Sequence, residues 1–117
     1  MKIPSEVRIA GVDYLVTIRE GLNDGLKMLR GEMSFSNSVI TLCPSQNHQA
    51  MSQTLLHEIL HGIFYHYGIE MDEKKEEEVV ERLSHGLYQV LQDNGGKLFD
   101  LVKEGAPGAT NYSDRVS

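Results

Sequence analysis

The sequence has few of the features that mark membrane, secreted and disulfide-stabilised proteins. Its 117 residues include a single cysteine, Cys43, so no internal disulfide can form, which fits a reducing compartment. No apolar run approaches the roughly 18 residues that a membrane-spanning helix requires. The first residues, MKIPSEVRIAG, lack the apolar core of a signal peptide. We therefore expect a cytoplasmic protein without a membrane partner.

Basic charge is also scarce. The chain has 11 Lys and Arg against 17 Asp and Glu, its formal net charge is −6, and it has no basic patch. Nucleic acid is therefore not the expected partner. The content of apolar residues (40%) and charged residues (24%) is that of a folded protein. We predict one domain over residues 1–104 and a flexible, polar C-terminal tail over 105–117.

Alternating polarity in the first part of the chain predicts a small antiparallel sheet. Residues 7–18 alternate around Ala10-Gly11, which is typical of a hairpin with a tight turn. Residues 32–35 and 39–43 are predicted to form two further strands. The glycine-containing segment between the hairpin and these strands is predicted to be a loop, with a helical turn at 26–29.

Helical periodicity dominates the second part of the chain. Residues 49–67 place their apolar side chains at the 3.6-residue period, and Gly68 is a natural stop. A second helix is predicted over residues 73–93, and a short amphipathic turn over 98–102. The expected apolar stripe of the second helix consists of Val80, Leu83, Leu87 and Leu91. Together these patterns predict an α+β domain.

Three ionisable side chains, His57, Glu58 and His61, lie within the apolar first helix. Burying such a side chain costs free energy unless it is paired with a hydrogen-bonding group, an opposite charge or a metal ion. Residues four apart share a helix face, so His57 and His61 can direct two imidazoles at one ion. This is the His-Glu-x-x-His pattern of zinc peptidases. In those enzymes zinc activates a bound water molecule. In this chain Glu58 would be the general base that accepts the proton of that water.

A zinc peptidase needs a third protein ligand and leaves one coordination position to water. The pattern with a third histidine six residues after the second is excluded, because that position is Tyr67. The third ligand is therefore expected on the second helix. On its helical wheel Glu76 and Glu77 lie nearest the apolar stripe, and the small Ser84 allows a close approach. We predict Glu77 as the metal ligand, with Glu81 as the alternative and Glu76 still open.

The segments QTLLHEILHGIFYHYG and EEEVVERLSHGLYQVLQDN resemble small, phage-encoded zinc metallopeptidases distantly similar to the ImmA/IrrE group. The strands in GEMSFSNSVITLC also resemble the sheet that precedes the active-site helix in zincins. The resemblance covers residues 7–94. It implies a compact, gluzincin-like domain, a zinc cofactor, a Glu ligand on the second helix and a bacterial host cytoplasm. The group usually carries Glu-Ala-Asn at the third ligand, where this chain has Glu-Glu-Val-Val.

These observations predict a zinc metallopeptidase that hydrolyses a peptide or protein. A regulatory protein is one candidate substrate. One alternative is a zinc-binding interaction or regulatory protein of phage or mobile-element origin that has no turnover. Another is that His57 and His61 are core histidines or belong to a closed structural site. His66 and His85 are weaker candidates for donors to a transition-state oxyanion. Zincin substrates often add a strand to the sheet, for which residues 39–43 are the expected edge.

Overall fold

The computed structural model describes residues 3–103, in which four strands precede two long helices. The predicted tail over 105–117 lies outside the described residues. All four strands and both long helices begin and end within one residue of their predicted bounds, so the α+β class is confirmed. The elements are β1 (Glu6–Ile9), β2 (Val12–Ile18), β3 (Gly31–Ser34), β4 (Val39–Leu42), α1 (His48–His66), α2 (Glu73–Asn94) and a terminal 3-10 helix (Gly95–Leu101).

The sheet is mixed, so the prediction of an antiparallel sheet is wrong. Its strand order is β1-β2-β4-β3, with antiparallel pairs at both sides and a parallel pair, β2 with β4, in the middle. The segment between β2 and β3 is long enough to carry the chain across the sheet before the second hairpin forms. As a result β3 is an edge strand and β4 is central, contrary to the expectation that residues 39–43 form the edge. Ile40 and Leu42 of β4 are fully buried, as a central strand requires.

The loop between β2 and β3 does not contain the helical turn predicted at 26–29. Asn23 and Met28 pair instead as an isolated antiparallel bridge. The Asp24 carboxylate accepts two backbone N–H hydrogen bonds within this turn, and such local bonds favour a turn over a helix. Leu22 is fully buried and anchors the loop to the rest of the domain. The loop leads directly into β3.

Helix α1 packs against one face of the sheet. The Asn47 side chain caps its first turn by accepting a hydrogen bond from the Ala50 N–H at 2.8 Å. The helix lies close to the sheet at Gly62, where a Cβ atom would lie 2.8 Å from Ile9 Cδ1. The buried residues of this core are Ile9, Tyr14, Val16, Ile40, Leu42 and Leu55.

Helix α2 packs on α1 around a smaller cluster of buried apolar side chains, which consists of Leu60, Phe64 and Val80. Ser84 is almost completely buried, which agrees with the predicted close approach at this position. The predicted apolar stripe is only partly correct, because Leu83 and Leu91 are exposed by 47% and 37%. A helical period shows which residues share a face but not which face meets a neighbour. Within residues 3–103, neither long helix carries an apolar stretch sufficient to cross a membrane.

Candidate metal centre

The two predicted histidines and one glutamate meet between α1 and α2. His57 and His61 lie one turn apart on α1, and their Nε2 atoms are 3.2 Å apart. The Glu77 carboxylate of α2 reaches both rings, with Oε1 2.7 Å from His57 Nε2 and Oε2 3.0 Å from His61 Nε2. The three residues each offer one ligand atom, and these atoms all lie within 4.8 Å of one another. The structure thus brings His57, His61 and Glu77 together as a group that could hold a metal ion.

The donor set and its spacing fit a small tetrahedral ion. Donor atoms bound at 2.0–2.1 Å to such an ion are about 3.3 Å apart, close to the separations among these three residues. Two imidazoles and one carboxylate suit zinc and related transition metals, whereas magnesium and calcium prefer oxygen ligands. Three protein ligands leave one tetrahedral position for water or a substrate.

Two further glutamates contact the opposite nitrogen atoms of the same histidines. Glu76 Oε2 lies 2.6 Å from His61 Nδ1, and Glu81 Oε2 lies 3.0 Å from His57 Nδ1. Glu81 lies one turn after Glu77 on the same face of α2. All three candidate glutamates therefore reach the histidines. Among them, Glu77 alone contacts the Nε2 atoms of both histidines. A third ligand to an ion bound by these two atoms would occupy this position.

The pKa of Glu81 depends on the side chains around its carboxyl group. Burial alone would raise its pKa, but the hydrogen bond from His85 and the charges of His57, His85 and Arg30 outweigh this and lower the pKa. The contact between His85 Nε2 and Glu81 Oε1 is 2.9 Å long. Glu81 therefore stays ionised as a partner for His57.

Glu58 is buried beside the histidines, with 8% of its surface exposed. Burial raises the pKa of its carboxyl to about 7; His61 opposes this rise, while the negative charges of Glu77 and Glu32 add to it. Glu58, His57 and Glu77 line a cavity of about 290 Å³ between the loop before β3 and helix α2. A carboxyl group that titrates near neutral pH can both accept and donate a proton.

The start of β3 is fixed close to Glu58 by packing and by a hydrogen-bonded side chain. A Cβ atom on Gly31 would lie 2.6 Å from Thr54 Cγ2 and 3.1 Å from the Thr41 carbonyl oxygen, so only glycine fits without displacement. The Gln46 amide donates to the carbonyl groups before β3 and after β4, and accepts from Thr54 Oγ1 at 2.9 Å. The sequence analysis missed this contribution to the site, because these residues form no local pattern.

The other candidates lie outside the group of metal ligands. His66 Nε2 is 2.5 Å from the hydroxyl of Tyr14, a buried core residue, on the side of α1 that faces the sheet. His85 lies on α2 behind Glu81 and is largely exposed. Cys43 is buried and lies next to Ser45, with its Sγ atom 3.0 Å from Ser45 Oγ. His85 nevertheless lines the cavity of about 290 Å³ together with His57, Glu58 and Glu77, whereas His66 is not part of that lining.

Comparison of the chain with protein-family models, curated proteins and solved structures finds no match.

Proposed function

We propose that this protein is a zinc-dependent metallopeptidase in which His57, His61 and Glu77 bind the ion and Glu58 is the general base. The main support is the convergence of the three ligand atoms next to a buried carboxyl group. A structural zinc site is usually closed by four protein ligands, whereas this group, among residues 3–103, consists of three. This arrangement favours an open site that acts on a bound molecule.

The chemistry divides between the ion and the side chains. Zinc, when bound, supplies a Lewis acid that activates water and polarises the scissile carbonyl group. Glu58 accepts a proton from the attacking water and returns it to the nitrogen atom of the departing amine. The buried position of Glu58 beside His57 and Glu77, at the wall of the same cavity, suits this double role.

The position of the edge strand supports a peptide as the substrate. Within the described part of the chain, β3 pairs with β4 on one side and has no strand on the other. Gly31 at its start lines the same cavity as His57 and Glu58. A peptide that adds a strand to this edge would therefore pass the metal centre. We therefore propose β3, and not residues 39–43, as the edge to which a substrate strand adds.

The exchange Glu58→Gln tests this proposal and separates a peptidase from a zinc-binding regulator. It removes the proton acceptor but keeps the size of the side chain. We expect unchanged zinc content, and hydrolysis slower by about 10²–10⁴-fold. The substrate is a tryptic digest of a bacterial proteome, with new peptide termini detected by mass spectrometry. The control is Asp93→Asn, an exposed carboxylate at the C-terminal end of α2 that lines neither cavity around the ligands, which should retain both properties.

Two results would count against the proposal. Zinc-loaded wild-type protein that cleaves no peptide of the digest would favour a binding protein without turnover. Equal hydrolysis by wild type and Glu58→Gln would show that Glu58 is not the general base.

A further inference from the structure

A second cavity, of about 540 Å³, lies next to the metal centre on the other side of His61. His61 and Glu76 form part of its wall, so it adjoins the ligands directly. The rest of its lining is mainly apolar and aromatic, and includes Phe35, Phe64, Tyr65, Ile69 and Met71. Its volume lies in the range typical of sites that bind small molecules or large side chains.

A pair of stacked aromatic rings forms one side of this cavity. The rings of Phe35 and Tyr65 are 4.0 Å apart between centroids and only 9° from parallel. Tyr65 is nevertheless 61% exposed, and Ile69 and Met71 are also open to solvent. Single exposed apolar side chains are common, but a group of them around a cavity indicates a binding surface.

The cavity also continues the path of a peptide bound along β3. Phe35 directly follows Ser34, the last residue of that strand, and Tyr65 lies one turn beyond His61 on α1. A peptide paired with the outer edge of β3 would therefore extend from the metal centre towards the aromatic pair. One of its side chains near the scissile bond would then face the cavity.

We propose that this cavity binds a large apolar or aromatic side chain of the peptide substrate, with Tyr65 as the residue that determines this preference. The inference rests on the proposed peptidase function. The lining contains two carboxylates, Glu70 and Glu76. Glu76 is engaged with His61 at 2.6 Å, and Glu70 is exposed to solvent, which screens its charge, so neither strongly favours a basic side chain over an apolar one. The open ring of Tyr65 and the adaptable thioether of Met71 both suit an aromatic ring.

The absence of tryptophan from the chain allows a direct binding test. The probe is a decapeptide of Gly, Ser and Ala with one Trp at its centre, whose fluorescence is the only tryptophan signal in the mixture. It is titrated with zinc-loaded Glu58→Gln protein, in which the expected loss of activity keeps the peptide intact during the titration. Matching peptides with Phe, Ala or Arg at that position serve as competitors. We expect Phe to compete as well as Trp, and Ala and Arg to compete about tenfold less well.

Tyr65→Ser and Tyr67→Ser, each added to Glu58→Gln, form a matched pair. The two tyrosines are 61% and 66% exposed at the same end of α1, but Tyr67 does not line the cavity. We expect Tyr65→Ser to weaken binding of the Trp peptide about tenfold, and Tyr67→Ser to leave it unchanged. Zinc content should stay the same in both variants, which verifies that the metal centre is intact.

The inference is overturned if no peptide binds, if Ala or Arg competes as well as Trp, or if the two tyrosine variants behave alike. Hydrolysis of the proteome digest distinguishes this failure from failure of the proposed function. Cleavage by wild type without preference for apolar residues supports the peptidase but rejects the cavity. Tyr65-dependent binding without any cleavage supports the cavity but rejects the peptidase.

Discussion

The Oε2 atom of Glu76 lies 2.6 Å from the Nδ1 atom of His61, on the side of the ring away from the other ligand atoms. Glu81 has the same relationship to His57, at 3.0 Å. A carboxylate in this position fixes the orientation of a metal-binding imidazole and increases its basicity. Both histidines are thus held so that their Nε2 atoms face Glu77.

We predict that Glu76→Gln weakens zinc binding by about 10–100-fold, because the carboxylate that orients His61 is lost while the ligands remain. Competition with a chromophoric chelator at neutral pH measures the affinity. Asp93→Asn is the control, since this exposed carboxylate lies at the C-terminal end of the same helix and should have no effect. Equal affinity of the two variants would mean that Glu76 does not support the metal centre.

A second prediction ranks Glu77 against Glu81, the alternative ligand. Glu77→Ala should reduce zinc affinity far more than Glu81→Ala, because Glu77 contacts both Nε2 atoms and Glu81 contacts only His57 Nδ1. We expect the effect of Glu81→Ala to stay within about 100-fold. The same chelator competition measures both. The reverse ranking would identify Glu81 as the third ligand.

Glu58 gives the metal-free protein a specific pH dependence of stability. Its pKa rises from 4.5 to about 7 on folding, so between these values the folded state binds more protons than the unfolded state. The free energy of unfolding therefore falls as the pH rises through this window, by about 3 kcal/mol. Glu58→Gln should lack this contribution and be more stable than wild type at pH 8. Urea denaturation with a chelator present, at several pH values, measures the difference, and parallel curves would contradict it.

Gly31 provides a test of the packing next to the site. Gly31→Ala should destabilise the protein by about 1–3 kcal/mol, because the new methyl group meets Thr54 and a backbone carbonyl of β4. The control is Gly86→Ala in α2, where no atom lies within 4 Å of the added Cβ. That exchange should stabilise the protein by about 0.5–1 kcal/mol through helix propensity. Urea denaturation that shows the same sign for both variants would contradict this account of β3.

The spacing of His57 and His61 could be predicted from sequence because it is a local property of one helix. The choice among Glu76, Glu77 and Glu81 could not be made firmly in the same way. All three lie on or near one face of α2, and a glutamate side chain is long enough to reach a partner from any of these positions. Their roles differ only through the side-chain contacts across the two helices.

The strand order and the packing of α2 depend on contacts between distant parts of the chain. Alternating polarity located each strand, but nothing local shows that β4 pairs in parallel with β2 and leaves β3 at the edge. The exposure of Leu83 likewise depends on how α2 lies across α1. The hydrogen bonds of Gln46 and the close contact at Gly31 appear only once these elements have met.

The most direct test of the central claim is the metal content of protein purified without a chelator or histidine tag, measured by elemental mass spectrometry. We predict about one zinc ion per chain in the wild type, and its loss in His57→Ala. His48→Ala, at the exposed start of α1, should keep the metal. Wild-type protein that holds no zinc even after incubation with it, or equal zinc in His57→Ala, would contradict the account.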